Sequence, residues 1–197
     1  YVANVESWDG TNWTEIADVN TARHYVKGCG TQTTGIIAGG YSTANQALTE
    51  TWDGTSWTEV SDLNTAGYGL QVSGVQTSAL ASAGNGRLAL NEQWDGSSWT
   101  EVGDLNTPRS ATAGAGTVTQ ALVFTGYTPP ASGTTDNNEV WNGTSWTKIN
   151  DLSTARDATA AAGSSVSTFA AGNETGGVQS ATEEFTADAA LSTVTVS

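Results

Sequence analysis

The chain has 197 residues, with 20 acidic against 6 basic side chains and a net charge of −14. That balance excludes a nucleic-acid binder built on a basic patch, and attraction to an anionic membrane surface. One cysteine and one histidine cannot make an internal disulfide or a structural zinc site, and no apolar run reaches the ~18 residues that suggest membrane insertion. Leu, Ile, Val and Phe total 32 residues, few for a folded domain and, with this charge, closer to a disordered one. Eight tryptophans argue otherwise, since each buries on the order of 150–250 Å². Thirty-two threonines and 23 glycines against 3 prolines suit short strands joined by tight turns.

The elements fall in chain order into a repeat. Trp8-Asp9-Gly10-Thr11-Asn12-Trp13 returns as Trp52-Asp53-Gly54-Thr55-Ser56-Trp57, as Trp94-Asp95-Gly96-Ser97-Ser98-Trp99 and as Trp141-Asn142-Gly143-Thr144-Ser145-Trp146. The spacings are 44, 42 and 47 residues, and a further step of 44 lands on Phe185 in a degenerate copy. Within a copy, Asp-Gly between two β-prone runs predicts a hairpin. Its four-residue loop sets the two tryptophans opposite one another across the strands. After the hairpin comes a connection (Asp62 to Ala66), then a small-residue strand a (Tyr68 to Gly74). A turn near Gln76-Thr77 leads to an apolar strand b (Ala79 to Ala83) ending at Gly84. The hairpin arms are strands c and d, and no segment carries a helical period.

Four strands in a period of 42–47 residues predict an all-β propeller of four-stranded antiparallel blades. Residues 1–18 supply a half blade of strands c and d. Residues 21–61, 65–103 and 107–150 supply full blades, and 154–197 a degenerate one. Four and a half blades do not close evenly, and a chain without methionine beginning at Tyr1 is expected to be a fragment with blades upstream. A closed ring of four or five blades is the alternative.

Gly39-Gly40, Glu50, Trp52, Trp57 and the arginines Arg23, Arg109 and Arg156 resemble the kelch repeat: a glycine doublet, an acidic or aromatic strand, tryptophan, then arginine opening the next blade. Only the first copy keeps the doublet, and Gly67 replaces the arginine once. More narrowly, the Trp-Asp-Gly-Thr-Ser-Trp form is similar to kelch-like arrays in virion proteins of tailed phages. The resemblance implies a non-enzymatic structural or receptor-binding module of a tail fibre, spike or decoration protein, in a virion or extracellular. Its partners would be a host-surface glycan or receptor, or other virion proteins, with oligomers possible. An extracellular bacterial kelch lectin or adhesin is the second reading. A surface-glycan hydrolase is a third, disfavoured because paired acids are lacking outside repeat positions.

Glu6, Glu50, Glu92, Glu139 and Glu183 stand two residues before Trp or Phe in every copy. A catalytic acid is needed once, so five copies point to a structural carboxylate paired with the arginine that opens strand a. The eight tryptophans (Trp8, Trp13, Trp52, Trp57, Trp94, Trp99, Trp141 and Trp146) are read as structural too. Calcium at the hairpins is disfavoured, with one carboxylate per turn and Asn142 in one copy. No cofactor is expected. Cys29, between two glycines, reads as a small buried residue and His24 as a surface or capping one. Tyr25, Tyr41, Tyr68 and Tyr127 differ from the tryptophans, for they fill no aligned place in every copy yet fall near one side of the disc. Scatter of that kind suits a contact surface, and these four are the candidate ligand-binding residues.

Overall fold

The computed structural model describes residues 1–86, 89–128, 133–172 and 182–186. Among the described residues every regular element is a β-strand. The chain opens with a two-stranded hairpin of β1 (Val5–Trp8) and β2 (Trp13–Ile16). The first blade is β3 (Lys27–Gly30), β4 (Gly35–Ala38), β5 (Thr49–Trp52) and β6 (Trp57–Val60), ordered β3-β4-β5-β6. The second is β7 (Gln71–Val75), β8 (Ser78–Ser82), β9 (Asn91–Trp94) and β10 (Trp99–Val102). The third comprises β11 (Ala113–Gly116), β12 (Ala121–Phe124), β15 (Asn138–Trp141) and β16 (Trp146–Ile149). A short hairpin, β13 (Tyr127–Thr128) with β14 (Gly133–Thr134), interrupts it. The fourth shows β17 (Ala160–Gly163), β18 (Ser167–Ala171) and β19 (Thr182–Thr186) among the described residues. All pairings are antiparallel, as predicted, and the blades are arranged as a propeller.

Side-chain size explains the radial arrangement. The innermost strands are glycine- and alanine-rich, and β3 packs on β7, β7 on β11 and β11 on β17. Bulk there would prevent the approach of the strands. A Cβ on Gly114 would stand 2.1 Å from the Leu122 carbonyl oxygen, and one on Gly28 2.4 Å from that of Ile36. The four inner strands line a central cavity of about 550 Å³. Second strands carry the aliphatic bulk. Ile36 of β4, Leu80 of β8 and Leu122 and Val123 of β12 are all buried, and the cores lie between blades rather than within one. Inner strands begin two or three residues later than the sequence suggested, at Gln71 rather than Tyr68 in the second blade. The residues before them turn through an isolated bridge instead: His24 with Tyr41, Tyr68 with Asn85, Ser110 with Tyr127.

Each predicted tryptophan pair forms. Trp52 faces Trp57, Trp94 faces Trp99 and Trp141 faces Trp146, with ring centroids 5.3–5.4 Å apart. Within each loop the first residue closes the turn. Asp53 Oδ1 accepts the backbone N–H groups of Thr55 and Ser56 at 2.8 Å, and Asn142 Oδ1 accepts those of Thr144 and Ser145 at 2.9 Å. Asparagine therefore serves where the third blade lacks aspartate, because the turn needs an acceptor and not a charge.

The glycine doublet survives as backbone where it is lost as sequence. Gly39 and Gly40 have φ of 67° and 113°; the aligned Ala83–Gly84 and Thr125–Gly126 have 62° and 102°, and 60° and 118°. The first position accepts a side chain at some strain. The second stays glycine: a Cβ on Gly126 would lie 2.7 Å from the Ser110 carbonyl oxygen.

Candidate functional site

Five carboxylates were expected to pair with arginines, and the arrangement found is fuller than a pair. Arg109 Nη2 donates to Glu139 Oε1 at 2.6 Å, with both side chains fully buried. Asn106 adds its backbone N–H and its Nδ2 to Glu139 Oε2, both at 2.8 Å, and Thr107 N donates to Oε1 at 3.1 Å. Asn106 Nδ2 also reaches the Trp146 carbonyl at 3.0 Å. The same clamp holds Glu50 through Arg23 at 2.5 Å and Asn20, and Glu183 through Arg156 and Ser153. Glu92, where Gly67 stands in place of arginine, takes Asn64 and the Thr65 N–H. Each clamp ties the entry of a blade to its own third strand. Burial lowers the Arg109 pKa, and the Glu139 carboxylate opposes that shift. Both oxygens of Glu50, Glu92, Glu139 and Glu183 accept hydrogen bonds from within the fold. The asparagine half of the clamp escaped sequence reading, although Asn20, Asn64 and Asn106 recur two residues after an aspartate.

The leading hairpin departs from this pattern. Trp8 and Trp13 pair with centroids 5.5 Å apart, but they remain 41% and 64% exposed, against 1–5% for Trp94, Trp99, Trp141 and Trp146. Glu6 is exposed and has no arginine clamp among the described residues. Trp8 and Trp13 thus form the expected cross-strand pair without the burial of the other copies, and among the described residues no strand pairs with β1 on its inner side.

Cys29 is partly enclosed beside the Ile36 core, and burial pushes its thiol up to about 12. A neutral thiol of that kind is no nucleophile near neutral pH.

The tyrosines form a different kind of site. Tyr25, Tyr41 and Tyr68 converge with His24 and Tyr1 into one continuous group of rings. Tyr41 stacks on His24 at 5.4 Å and meets Tyr68 edge-on at 5.3 Å, while Tyr25 stacks on Tyr68 at 5.5 Å. His24 touches Tyr1 at 4.8 Å and Tyr25 at 4.5 Å, both edge-on. His24, expected as a surface or capping residue, is half-buried at the centre of the group. The backbone holds it there, with His24 N to Tyr41 O at 3.0 Å and Tyr41 N to His24 O at 2.8 Å. Tyr127 occupies the same bridge position two copies on, opposite Ser110, and does not join the ring group.

The group stands at the end of the disc where the inner strands begin. Tyr25 lies two residues before β3 and has a left-handed backbone, φ 53°. Its aligned residues Gly69, Ala111 and Ala158 share that conformation at 61°, 52° and 50°. The strained backbone therefore belongs to the repeat, and the tyrosine side chain is an addition to it. The Tyr25 ring is 61% exposed, an apolar platform open to solvent. Parts of the connections at this end (87–88 and 129–132, and all of 174–181) lie outside the described residues. No known family profile matches the chain, and no curated protein matches it.

Proposed function

We propose that this chain is a non-enzymatic binding module that uses the Tyr25–Tyr41–Tyr68 surface to hold a glycan or receptor on a host cell, within a virion tail fibre, spike or decoration protein. One observation carries the reading: three tyrosines and His24, none required by the repeat, converge into a single ring group in which Tyr25 is exposed and the other three are half-buried. Tyrosine rings offer a flat apolar face for the C–H face of a sugar, with hydroxyl groups at the edge for its polar substituents. They do so with few rotatable bonds, so little freedom is lost on binding. The placement in a virion rests on the sequence resemblance to kelch-like phage arrays, an argument by analogy.

The repeat supplies its own neutral replacements for the test. Alanine stands at the Tyr25 position in two copies (Ala111 and Ala158), asparagine at the Tyr41 position (Asn85) and serine at the Tyr68 position (Ser110). The triple variant Tyr25→Ala, Tyr41→Asn, Tyr68→Ser is expected to lose binding on a glycan array and to host cells while its Tm moves only slightly. Undiminished binding by a folded triple variant would refute the assignment. Turnover of a bound glycan would refute the non-enzymatic reading separately.

A further inference from the structure

The residues by which the first two blades depart from the repeat fall together at one end of the disc. Before the left-handed residue the third and fourth blades carry Ser110 and Asp157, where the first two carry His24 and Tyr68. At the start of the inner strand the third and fourth carry Ala113 and Ala160, where the first two carry Lys27 and Gln71. The inner strands are otherwise built of Gly, Ala, Ser, Val and Cys. Two long polar side chains there are an addition to the repeat, as the tyrosines are. Both line the central cavity of about 550 Å³, at the end that carries Tyr25.

The two differ in what holds them. Gln71 Nε2 donates to the Gly114 carbonyl of the third blade at 3.0 Å and to the Val72 carbonyl at 3.1 Å. Lys27 is exposed, and its ammonium has no carboxylate among the described residues. Every other described lysine or arginine has one: Arg23 pairs with Glu50, Arg109 with Glu139, Arg156 with Glu183 and Lys148 with Asp151. In a chain of 20 acidic against 6 basic side chains, a cation left without a carboxylate is the exception. The described cavity lining contains no acidic side chain, and the connection 41–48 beside the ring group contains no charged residue.

The four rings close on themselves. His24 meets Tyr41, Tyr41 meets Tyr68, Tyr68 meets Tyr25 and Tyr25 meets His24, with centroids 4.5–5.5 Å apart. A ligand sandwiched between two of them needs about 7 Å, two contacts of about 3.5 Å. The open face of Tyr25 is therefore the platform. Lys27 is two residues further on, so the two Cα atoms lie within about 7.6 Å, two steps of about 3.8 Å.

We infer that the ligand of this surface is an anionic saccharide, stacked on Tyr25 and paired through its carboxylate or sulfate group with the Lys27 ammonium at the cavity rim. The inference rests on the glycan-binding reading of the Tyr25–Tyr41–Tyr68 group and adds the charge of the ligand to it. A hydrogen bond between charged groups is about twice as strong as a neutral one. The net charge of −14 repels anions from the molecule at large, so the pairing at Lys27 also selects the place of binding.

The test compares immobilised polygalacturonate and dextran sulfate with their neutral counterparts, methyl-esterified polygalacturonate and dextran. The charged member of at least one pair is expected to bind about tenfold more tightly than the neutral one. That advantage is expected to disappear in Lys27→Gln and at high salt, and to survive in Lys27→Arg. Glutamine is the second blade's own residue at this place, so Lys27→Gln is expected to keep its Tm. The pair that shows the advantage identifies the group as carboxylate or sulfate. Equal binding within both pairs, no binding to either charged polymer, or an advantage untouched by Lys27→Gln would each overturn the inference. Binding to a neutral polymer that is lost in the Tyr25→Ala, Tyr41→Asn, Tyr68→Ser variant would then leave the glycan-binding reading standing. Undiminished binding by that variant, still folded, would remove both.

Discussion

The recurring carboxylate shows what a repeat does at the scale of one residue. Glu139 is enclosed with Arg109, and its four hydrogen bonds satisfy both oxygens. Removing its charge leaves Arg109 buried without compensation. Glu139→Gln is therefore expected to cost about 3–5 kcal/mol, measured by denaturant unfolding. The hairpin aspartates act differently, since they are exposed. Asp95 is held down to about 2 by the Ser98 backbone N–H first, then by Ser97, and Asp53 and Asp9 are lowered for the same reason. A depressed folded pKa gives stability that is complete above the ordinary carboxylate value of about 4 and lost as pH falls through the folded value. The Tm is thus expected to drop as pH falls from about 4 to about 2. Asp95→Asn should shrink that drop without unfolding the protein near neutral pH, since Asn142 already closes the same turn uncharged.

Among the elements, the tryptophan hairpins look interchangeable in sequence and differ in the fold. Trp99 is 5% exposed, and its indole donates to Thr49 Oγ1 of the preceding blade at 3.0 Å. It joins two blades as well as two strands. Trp99→Ala should cost about 3–5 kcal/mol, as large core truncations do. Trp13→Ala, at 64% exposure, should leave the Tm of the monomer nearly unchanged. Equal losses in the two variants, read by thermal unfolding, would contradict the unequal packing of the two hairpins. Trp57 occupies the same repeat position as Trp99, but its Nε1 is buried without a partner. The residue aligned with Thr49 in the copy before it is Val5, which offers no acceptor.

For the molecule as a whole, blades depend on their neighbours for burial, and protection should follow. The β9 and β15 amides lie between two paired strands, while among the described residues β1 is paired on one side only. Hydrogen exchange at low protein concentration is expected to be fast along β1 and slow along β9 and β15. Uniform slow exchange would mean that β1 has an inner partner in the free molecule. The fourth sheet is predicted to exchange faster than the second or third, because Phe185 replaces tryptophan and the Glu183 clamp is more open.

The period, the Asp-Gly turns and the paired tryptophans determined the blade by themselves, because turn chemistry and alternation are local and were copied along the chain. Trp52 opposite Trp57 follows from a loop length alone, and so does the turn near Gln76. What lay beyond local signals was decided by packing across the disc. Sequence reading could place Tyr25, Tyr41 and Tyr68 on one side but could not bring their rings together, since that contact joins residues from two blades. It gave His24 a bland part because nothing in the neighbouring residues showed that Tyr1, Tyr25 and Tyr41 would surround it. It also treated all copies of the glutamate and of the tryptophan pair alike. Whether a copy is clamped and buried depends on which strands stand inside it, and that is a property of position in the ring rather than of the motif.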